Sequence, residues 1–229
     1  MSSHPLLHFF NFTVTSHGLF FALGAEVAGL LLLRRARSKD LPEVLVWPLT
    51  AVAFLGGLIG ARILFILLYW EQIGSFTRSF EFWRGGLVSY GGFLGGGIAV
   101  WLYLRGRQVV DWSNAMAPAL LVGWGIGRIG NFLAGDSIGV PSLFFTFMYG
   151  RVPIQLFETV LCWLVAFSSV NRPKAMLLSG SLYFAGRAII DIWRDEPMLL
   201  GFHPSSLVSA LLCLIFTYFY ALGPRRRLA

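Results

Sequence analysis

The segment Gly127-Arg128-Ile129-Gly130-Asn131-Phe132 places an arginine and an asparagine in a run of otherwise apolar residues. Across the chain 56% of the residues are apolar and only 13% are charged, which excludes an ordinary soluble domain. The run is therefore expected to cross a membrane, where an arginine costs about 2.5–3.5 kcal/mol on insertion scales. Arg62 and Arg187 lie in two further apolar runs. Three arginines at this depth predict an anionic ligand, and lipid phosphate is the anion that a bilayer supplies.

Seven apolar runs predict an all-α integral membrane protein with about seven transmembrane helices and a polar cavity for lipid headgroups within the bundle. The predicted spans cover about 15–33, 44–70, 86–104, 113–133, 153–170, 176–193 and 204–222. With short connections between them, the 229 residues leave no room for a soluble domain. We therefore predict a single polytopic membrane domain over residues 1–229, with a short external segment at about 134–152.

Cations outside the spans predict the topology, because cytoplasmic connections carry an excess of lysine and arginine. This rule predicts an external N-terminus, a cytoplasmic C-terminus and an odd number of crossings. The net charge of +7 is thus interpreted as a topology signal, and no nucleic-acid partner is expected. The cation-rich set of connections holds Arg34, Arg35, Arg37, Lys39, Arg105, Arg107, Arg172, Lys174, Arg225, Arg226 and Arg227, and the alternate set holds Arg78, Arg84, Arg151 and Arg194.

The third predicted span is dense in glycine, with Gly85-Gly86, Gly91-Gly92 and Gly95-Gly96-Gly97. Small residues of this kind allow two helices to pack closely in a membrane. They are also typical of irregular backbone that lines a polar cavity, which a membrane tolerates only where protein or water covers it. The sequence leaves both interpretations open.

Polar residues within the spans form the candidate site. All three cations are arginines, whose planar guanidinium donates two parallel hydrogen bonds to a phosphate and stays charged. Arg187 and Asp191 share a helix face, either as an internal ion pair or as a phosphate ligand oriented by a carboxylate. Glu158 is a candidate partner for Arg128 or Arg62. The intramembrane polar set comprises Glu26, Arg62, Arg128, Asn131, Gln155, Glu158, Arg187 and Asp191.

Two further residues, His17 and Tyr90, are less specific signals. His17 opens the first span and Tyr90 lies beside glycines at the start of the third, where each is either an interfacial side chain or a base. The four histidines are scattered without the spacing of metal ligands, so we expect no metal and no cofactor.

Taken together, these residues resemble the prolipoprotein diacylglyceryl transferase family, seven-helix enzymes of the bacterial cytoplasmic (inner) membrane. The strongest match joins residues 127–132 to Gly135-Asp136-Ser137-Ile138-Gly139, where Asp136 stands in place of the usual glutamate. Supporting matches follow in family order over roughly residues 15–210, at 60–63, 82–87, 117–118, 153–158 and 186–194.

The resemblance implies transfer of the diacylglyceryl group of phosphatidylglycerol to the thiol of a lipobox cysteine in a preprolipoprotein, with release of glycerol phosphate. The partners would be phosphatidylglycerol, or another anionic phospholipid, and the preprolipoprotein signal peptide in the membrane. By the family pattern Arg128 and Arg187 bind the phosphate and Asn131 bonds to the headgroup. Asp136 and Asp191 hold the arginines in register. The remaining substrate-binding residues implied by the matched motifs are Arg62, Gly139, Gln155, Glu158 and Arg194.

One departure from the family concerns the base. The usual His-Gly-Gly is Tyr90-Gly91-Gly92 here, whereas a position that is usually tyrosine near the start of the first span is His17. A histidine, with an ordinary pKa of about 6.5, is a better base for a thiol than a tyrosine of about 10. We therefore expect the two residues to have exchanged roles, and both are candidate catalytic residues.

The other departures concern the acceptor side. The usual His-Pro-Ser-Gln is Val152-Pro153-Ile154-Gln155, Asn114 replaces an aspartate, and the external segment at about 140–152 is much shorter than in the family. The donor half of the site is thus retained, while the acceptor half is altered. The alternatives are a paralogue that uses an anionic phospholipid with a different acceptor, and a non-catalytic phospholipid-binding protein.

Overall fold

The computed structural model describes residues 5–9, 12–74, 86–136, 139–145, 150–196, 198 and 201–222. Over this part of the chain it confirms the prediction of seven long helices, and each helix boundary lies within five residues of the predicted one. Arg78, Arg84 and Arg225–Arg227, which were counted for topology, lie outside the described residues. The seven long helices are α1 Ser16–Ser38, α2 Val46–Leu68, α3 Ser89–Leu104, α4 Val109–Ala134, α5 Ile154–Ser169, α6 Ala175–Ile190 and α7 Pro204–Leu222, and short helical turns occur at Glu43–Leu45, Trp70–Ile73 and Asp191–Trp193.

A short antiparallel hairpin precedes α1 and was not included in the all-α expectation. Strand β1, Pro5–Phe9, pairs with strand β2, Phe12–Thr15. The second strand has the sequence Phe-Thr-Val-Thr, and aromatic and β-branched residues favour extended backbone. The strands are too short to produce a clear alternating pattern, so they could not be recognised from the residues alone.

Four helical segments in the described part of the chain are long and apolar enough to cross a membrane: Ser16–Ser38, Glu43–Leu68, Ala175–Trp193 and Pro204–Leu222. Helix α5 is a shorter apolar helix. Helix α3 has only 16 residues, and the 26 residues of α4 include Asp111, Arg128 and Asn131, which lower its hydropathy. The protein is therefore a multi-pass membrane protein.

The chain forms two compact units, Met1–Arg35 with Ser113–Ala229, and Ala36–Trp112. Within the second unit, α2 and α3 pack through glycines. A Cβ atom on Gly60 would collide with the carbonyl oxygen of Gly91, and one on Gly95 would lie 2.5 Å from that of Gly56. Only glycine permits this approach of two backbones. Of the two interpretations of the glycine-dense span, close helix packing is confirmed for residues 91–96.

We expect Gly95→Leu to destabilise the protein by about 1–3 kcal/mol, the usual effect of overpacking a filled contact. Gly97 supplies a matched control two residues away, because a Cβ atom there would meet nothing within 4 Å. The midpoint of thermal unfolding, monitored by size-exclusion chromatography in detergent, is measured for both variants. Equal midpoints for Gly95→Leu and Gly97→Leu would contradict the close contact.

In the first unit, Arg35 compensates for a proline inside a helix. Pro118 lies within α4 and lacks the N–H group that would bond to the carbonyl of Asn114. The Arg35 side chain donates from Nη2 to that carbonyl at 3.1 Å, and from Nε to the carbonyl of Ala115 at 2.9 Å. The prediction that placed Arg35 in a connecting loop is wrong, because α1 continues to Ser38 and buries this arginine.

Asn114 joins α4 to the start of α6. Its Oδ1 accepts a hydrogen bond from the backbone N–H of Met176 at 3.0 Å. The first-turn N–H groups of a helix have no partner within the helix, and side-chain oxygens commonly satisfy them. An uncharged asparagine fills this role in the present chain.

Candidate functional site

A buried carboxylate, Glu158 on α5, lies between two buried arginines. Its Oε2 is 2.8 Å from Nη2 of Arg128 on α4, and its Oε1 accepts a hydrogen bond from Nη1 of Arg187 on α6. The Glu158 side chain is only 1% exposed. The sequence offered Glu158 as a partner for either Arg128 or Arg62, and the structure pairs it with Arg128 and Arg187 together.

Glycines bring the three helices close enough for this contact. A Cβ atom on Gly125 of α4 would lie 2.6 Å from Nε1 of Trp163 on α5. A Cβ atom on Gly186 of α6 would collide with the side chain of Leu161 on α5. Each glycine lies within three residues of an arginine of the cluster, so the close approach of the backbones sets the distance to Glu158.

Two uncharged donors complete the coordination of the carboxylate. The hydroxyl of Tyr183 donates to Oε1 of Glu158 at 2.6 Å, and the indole N–H of Trp124 donates to the same oxygen at 3.0 Å. A buried carboxylate is tolerated when its lone pairs are satisfied in this way. Trp124 and Tyr183 were missed in the sequence. Each lies four residues before an arginine, on the same helix face, and that spacing is the signal that would have found them.

A second carboxylate, Asp191, extends the cluster at the end of α6. Its Oδ1 is 2.9 Å from both Nε and Nη2 of Arg194. Its Oδ2 lies 3.6 Å from Nε of Arg187, an ion-pair distance that is too long for a hydrogen bond. Arg187 and Asp191 thus share a face as expected. Nη1 of Arg194 also bonds to the half-exposed Glu196 at 3.2 Å.

The buried part of the cluster carries a surplus of positive charge. The arginines Arg128, Arg187 and Arg194 are more than nine-tenths buried, and they face two buried carboxylates. Nε of Arg128 is buried without a hydrogen-bond partner among the described residues. Its Nη2 lies within ion-pair distance of Glu158 but lacks the geometry of a hydrogen bond. Buried donors in native proteins are normally satisfied, so the Nε–H group of Arg128 is a candidate donor to an anionic ligand.

Asn131 connects the cluster to His17 on α1. In the amide orientation that satisfies both of its ends, Asn131 accepts from Nη1 of Arg128 at 2.7 Å and donates to Nδ1 of His17. The His17 ring lies 4.7 Å from that of Phe21, and Phe21 meets Trp124 edge to face at 5.7 Å. The structure therefore places His17, Asn131 and Arg128 side by side, although 114 residues separate the first two in the chain.

The segment that follows α4 contains Asp136 and Gly139, and Gln155 of α5 contacts it. Gln155 donates from Nε2 to the backbone carbonyl of Asp136, and the N–H group of Asp136 bonds to the carbonyl of Asn131 at 3.0 Å. The Asp136 side chain is exposed and forms no ion pair among the described residues, so its expected role in holding an arginine stays a prediction. Gly139 must be small, because a Cβ atom there would lie 2.7 Å from the carbonyl oxygen of Trp193.

The chain matches the family model described as prolipoprotein diacylglyceryl transferase over residues 5–222. It belongs to that family. The resemblance found in the sequence is confirmed, and membership of the prolipoprotein diacylglyceryl transferase family makes the protein an enzyme of the transferase class.

Two named relatives show how similar the sequence of this chain is to other members of the family. The phosphatidylglycerol–prolipoprotein diacylglyceryl transferase of Clostridium tetani (strain Massachusetts / E88) is 27% identical over 212 residues, which cover 84% of this chain and 85% of that protein. The enzyme of the same name from Nitratidesulfovibrio vulgaris (strain DSM 19637 / Miyazaki F) is 31% identical over 181 residues, covering 72% and 67% respectively.

Two site residues expected for this transferase family lie in the unit Ala36–Trp112. Arg62 on α2 is buried, donates from Nη1 to the carbonyl of Gly86 at 3.1 Å, and lies 5.4 Å from the centre of the Phe65 ring. Tyr90 is in the first turn of α3. Glu26, the remaining member of the polar set, is exposed on α1.

Among the described residues, no group of three or more His, Cys, Asp and Glu side chains has an arrangement that could hold a metal ion.

Proposed function

We propose that the protein transfers the diacylglyceryl group of phosphatidylglycerol to the thiol of a lipobox cysteine and releases glycerol phosphate. The observation that carries this proposal is the buried cluster of Arg128, Glu158 and Arg187, with its surplus positive charge and unsatisfied Arg128 N–H groups. The phosphodiester of phosphatidylglycerol is an anion, which suits a site lined by buried arginines. The named relatives support the choice of donor and acceptor.

The chemistry explains why arginines are needed. The thiolate sulfur forms a bond to the glycerol carbon of the diacylglyceryl group as the bond from that carbon to the phosphate oxygen breaks. The electron pair stays on the phosphate oxygen, so negative charge grows there in the transition state. Arg128 and Arg187 stabilise the growing charge more than the ground state, which accelerates the reaction. Glu158 and Asp191 hold the two guanidinium groups in position.

Other parts of the site have supporting roles in this proposal. Asn131 turns from the Arg128–His17 contact toward the glycerol headgroup, and Arg194 holds Asp191. Gln155, Asp136 and Gly139 shape the binding site for the headgroup. We propose that this site is a polar cavity in a single domain of residues 1–229. The domain lies in the bacterial cytoplasmic membrane with its N-terminus outside, its C-terminus in the cytoplasm and the segment at about 134–152 external.

We propose His17 as the base that takes the thiol proton. Without substrate, Asn131 donates to Nδ1, so the neutral ring carries its proton on Nε2. When Asn131 turns toward the headgroup, Nδ1 is free to accept the thiol proton. Tyr90, at the position where the family has histidine, is the competing base.

His17→Ala is expected to lower the transfer rate by about 10²–10⁴-fold, the usual contribution of a general base. Tyr90→Phe, which removes only the hydroxyl group, is expected to have the smaller effect. The rate of diacylglyceryl transfer to a lipobox peptide, measured for both variants in the same membranes, decides between them. Full activity in His17→Ala would exclude the histidine as base.

The function itself is tested by a mass-shift assay with the purified protein in liposomes that contain phosphatidylglycerol. A synthetic lipobox peptide is expected to gain one diacylglyceryl group on its cysteine, with release of glycerol phosphate. The gain should disappear with Arg128→Ala and with a peptide whose cysteine is replaced by serine. Binding of phosphatidylglycerol without any gain would instead support a different acceptor or a non-catalytic lipid-binding protein, and the short segment at 140–152 favours the former.

A further inference from the structure

The segment 139–152 contains a small hairpin held by backbone hydrogen bonds. We call it the 139–152 hairpin, and it is described for residues 139–145 and 150–152. Its base is fixed to the end of α6, because the N–H group of Val140 donates to the carbonyl of Trp193 at 2.9 Å and Gly139 bridges to Arg194. The arms are joined by bonds from Gly139 to Val152 at 3.1 Å, from Val152 to Val140 at 3.0 Å and from Ser142 to Gly150 at 2.9 Å.

The two ends of this hairpin differ in polarity. At the base, Arg151 donates to the carbonyl of Gly139 at 2.8 Å and pairs with Asp195. At the tip, Leu143 is 91% exposed and Phe144 is 89% exposed. The sequence from Ser142 to Gly150 contains no charged residue. Exposed apolar surface is unfavourable in water by about 25 cal/mol per Å², so we expect these two side chains to be covered by another apolar surface.

The tip continues the lipid-facing side of α5. Phe145 meets Phe157 of α5 edge to face, with the ring centres 5.9 Å apart. Phe157 begins a stripe of exposed apolar side chains with Val160, Leu164 and Phe167, spaced three or four residues apart. This spacing places the four side chains on one face of a helix that is apolar enough to lie in a membrane. Phe145 therefore joins the described part of the tip to this exposed apolar stripe of α5.

We propose that the 139–152 hairpin inserts Leu143 and Phe144 into the lipid surface of the bilayer. Aromatic and aliphatic side chains at the boundary are typical membrane anchors. Lipid fits this surface better than a protein partner does, because the tip offers no charged group and is continuous with the α5 stripe. The membrane then holds the base of the hairpin beside Arg194. This anchoring is separate from the transfer reaction and does not depend on which acceptor is used.

The depth of the tip can be measured by fluorescence quenching in nanodiscs, where both membrane faces are accessible. Phe144→Cys, in a Cys213→Ala background, carries an environment-sensitive fluorophore, while the native Cys162 is buried and unreactive. Asn171→Cys is the matched control, since Asn171 is exposed in the turn between α5 and α6. Lipids with a nitroxide near the headgroup are expected to remove most of the fluorescence at position 144 and little at 171. Aqueous iodide should do the opposite.

The same measurement can overturn the proposal. Quenching by iodide at position 144 as strong as at 171, with no effect of lipid nitroxide, would place the tip in water. Protection that appears only when a lipobox peptide is added would identify a protein-binding surface instead. Leu143→Cys provides a second label, so that a failure of Phe144→Cys to fold still leaves the depth measurable. Neither readout requires enzymatic activity, so a failed transfer assay has no bearing on the result.

Discussion

Glu158→Ala is expected to lower the free energy of unfolding by about 3–5 kcal/mol. The substitution leaves Arg128 and Arg187 buried with no shared counter-ion, and it deprives Trp124 and Tyr183 of their common acceptor. An uncompensated buried charge is among the most destabilising changes a protein can undergo. Thermal unfolding in detergent, monitored by size-exclusion chromatography, measures the loss of stability.

Two controls separate charge from shape in this experiment. Glu158→Gln keeps the volume and one acceptor oxygen, so its loss of stability should be intermediate. Val160→Ala changes an exposed, lipid-facing position two residues away on α5 and should have little effect. A Glu158→Ala protein as stable as the unmodified one would show that the two arginines find other partners.

Arg128→Lys is expected to fold normally and to lower kcat by about 10²–10³-fold, the usual loss when one donor to a developing negative charge is removed. Lysine keeps the positive charge opposite Glu158, so the ion pair survives. It lacks the planar fork that lets Nε and a terminal nitrogen donate together to a phosphate. Because the lost interaction forms as the phosphate oxygen gains charge, kcat should fall more than KM rises.

The measurement is the initial rate of diacylglyceryl transfer over a range of phosphatidylglycerol content. Arg37→Lys is the matched control, since Arg37 is exposed at the end of α1 and pairs with Glu43 at 2.9 Å. An unchanged kcat in Arg128→Lys would show that a point charge is sufficient there, and the bidentate role would be withdrawn.

The helices could be predicted closely because apolar run length and membrane thickness leave little freedom. Helix α7 was predicted with the bounds it has, Pro204–Leu222. The β-strands and the 139–152 hairpin could not be predicted in this way, because they depend on backbone pairing over a few residues. For the third span the glycine pattern alone could not distinguish close packing from a cavity. That distinction depends on what faces Gly91 and Gly95, which is a property of α2.

For the candidate site, the energetic penalty of burying a guanidinium singled out Arg128 and Arg187, and the structure shows that both are buried. The sequence could not show that one carboxylate serves both arginines. That arrangement depends on how closely α4 and α6 approach α5 at Gly125 and Gly186. The neighbourhood of His17 was equally hidden, because it requires α1 to lie against α4 at Asn131.

The compensation of Pro118 by Arg35 makes two positions interdependent in evolution. If a lineage lost the proline first, the backbone N–H at position 118 would satisfy Asn114 from within α4, and position 35 would be free to drift. If it lost the arginine first, the carbonyl of Asn114 would lose its donor, at about 1–3 kcal/mol for the group left unsatisfied. The order of the two substitutions is therefore constrained, and the arginine is retained for as long as the proline is.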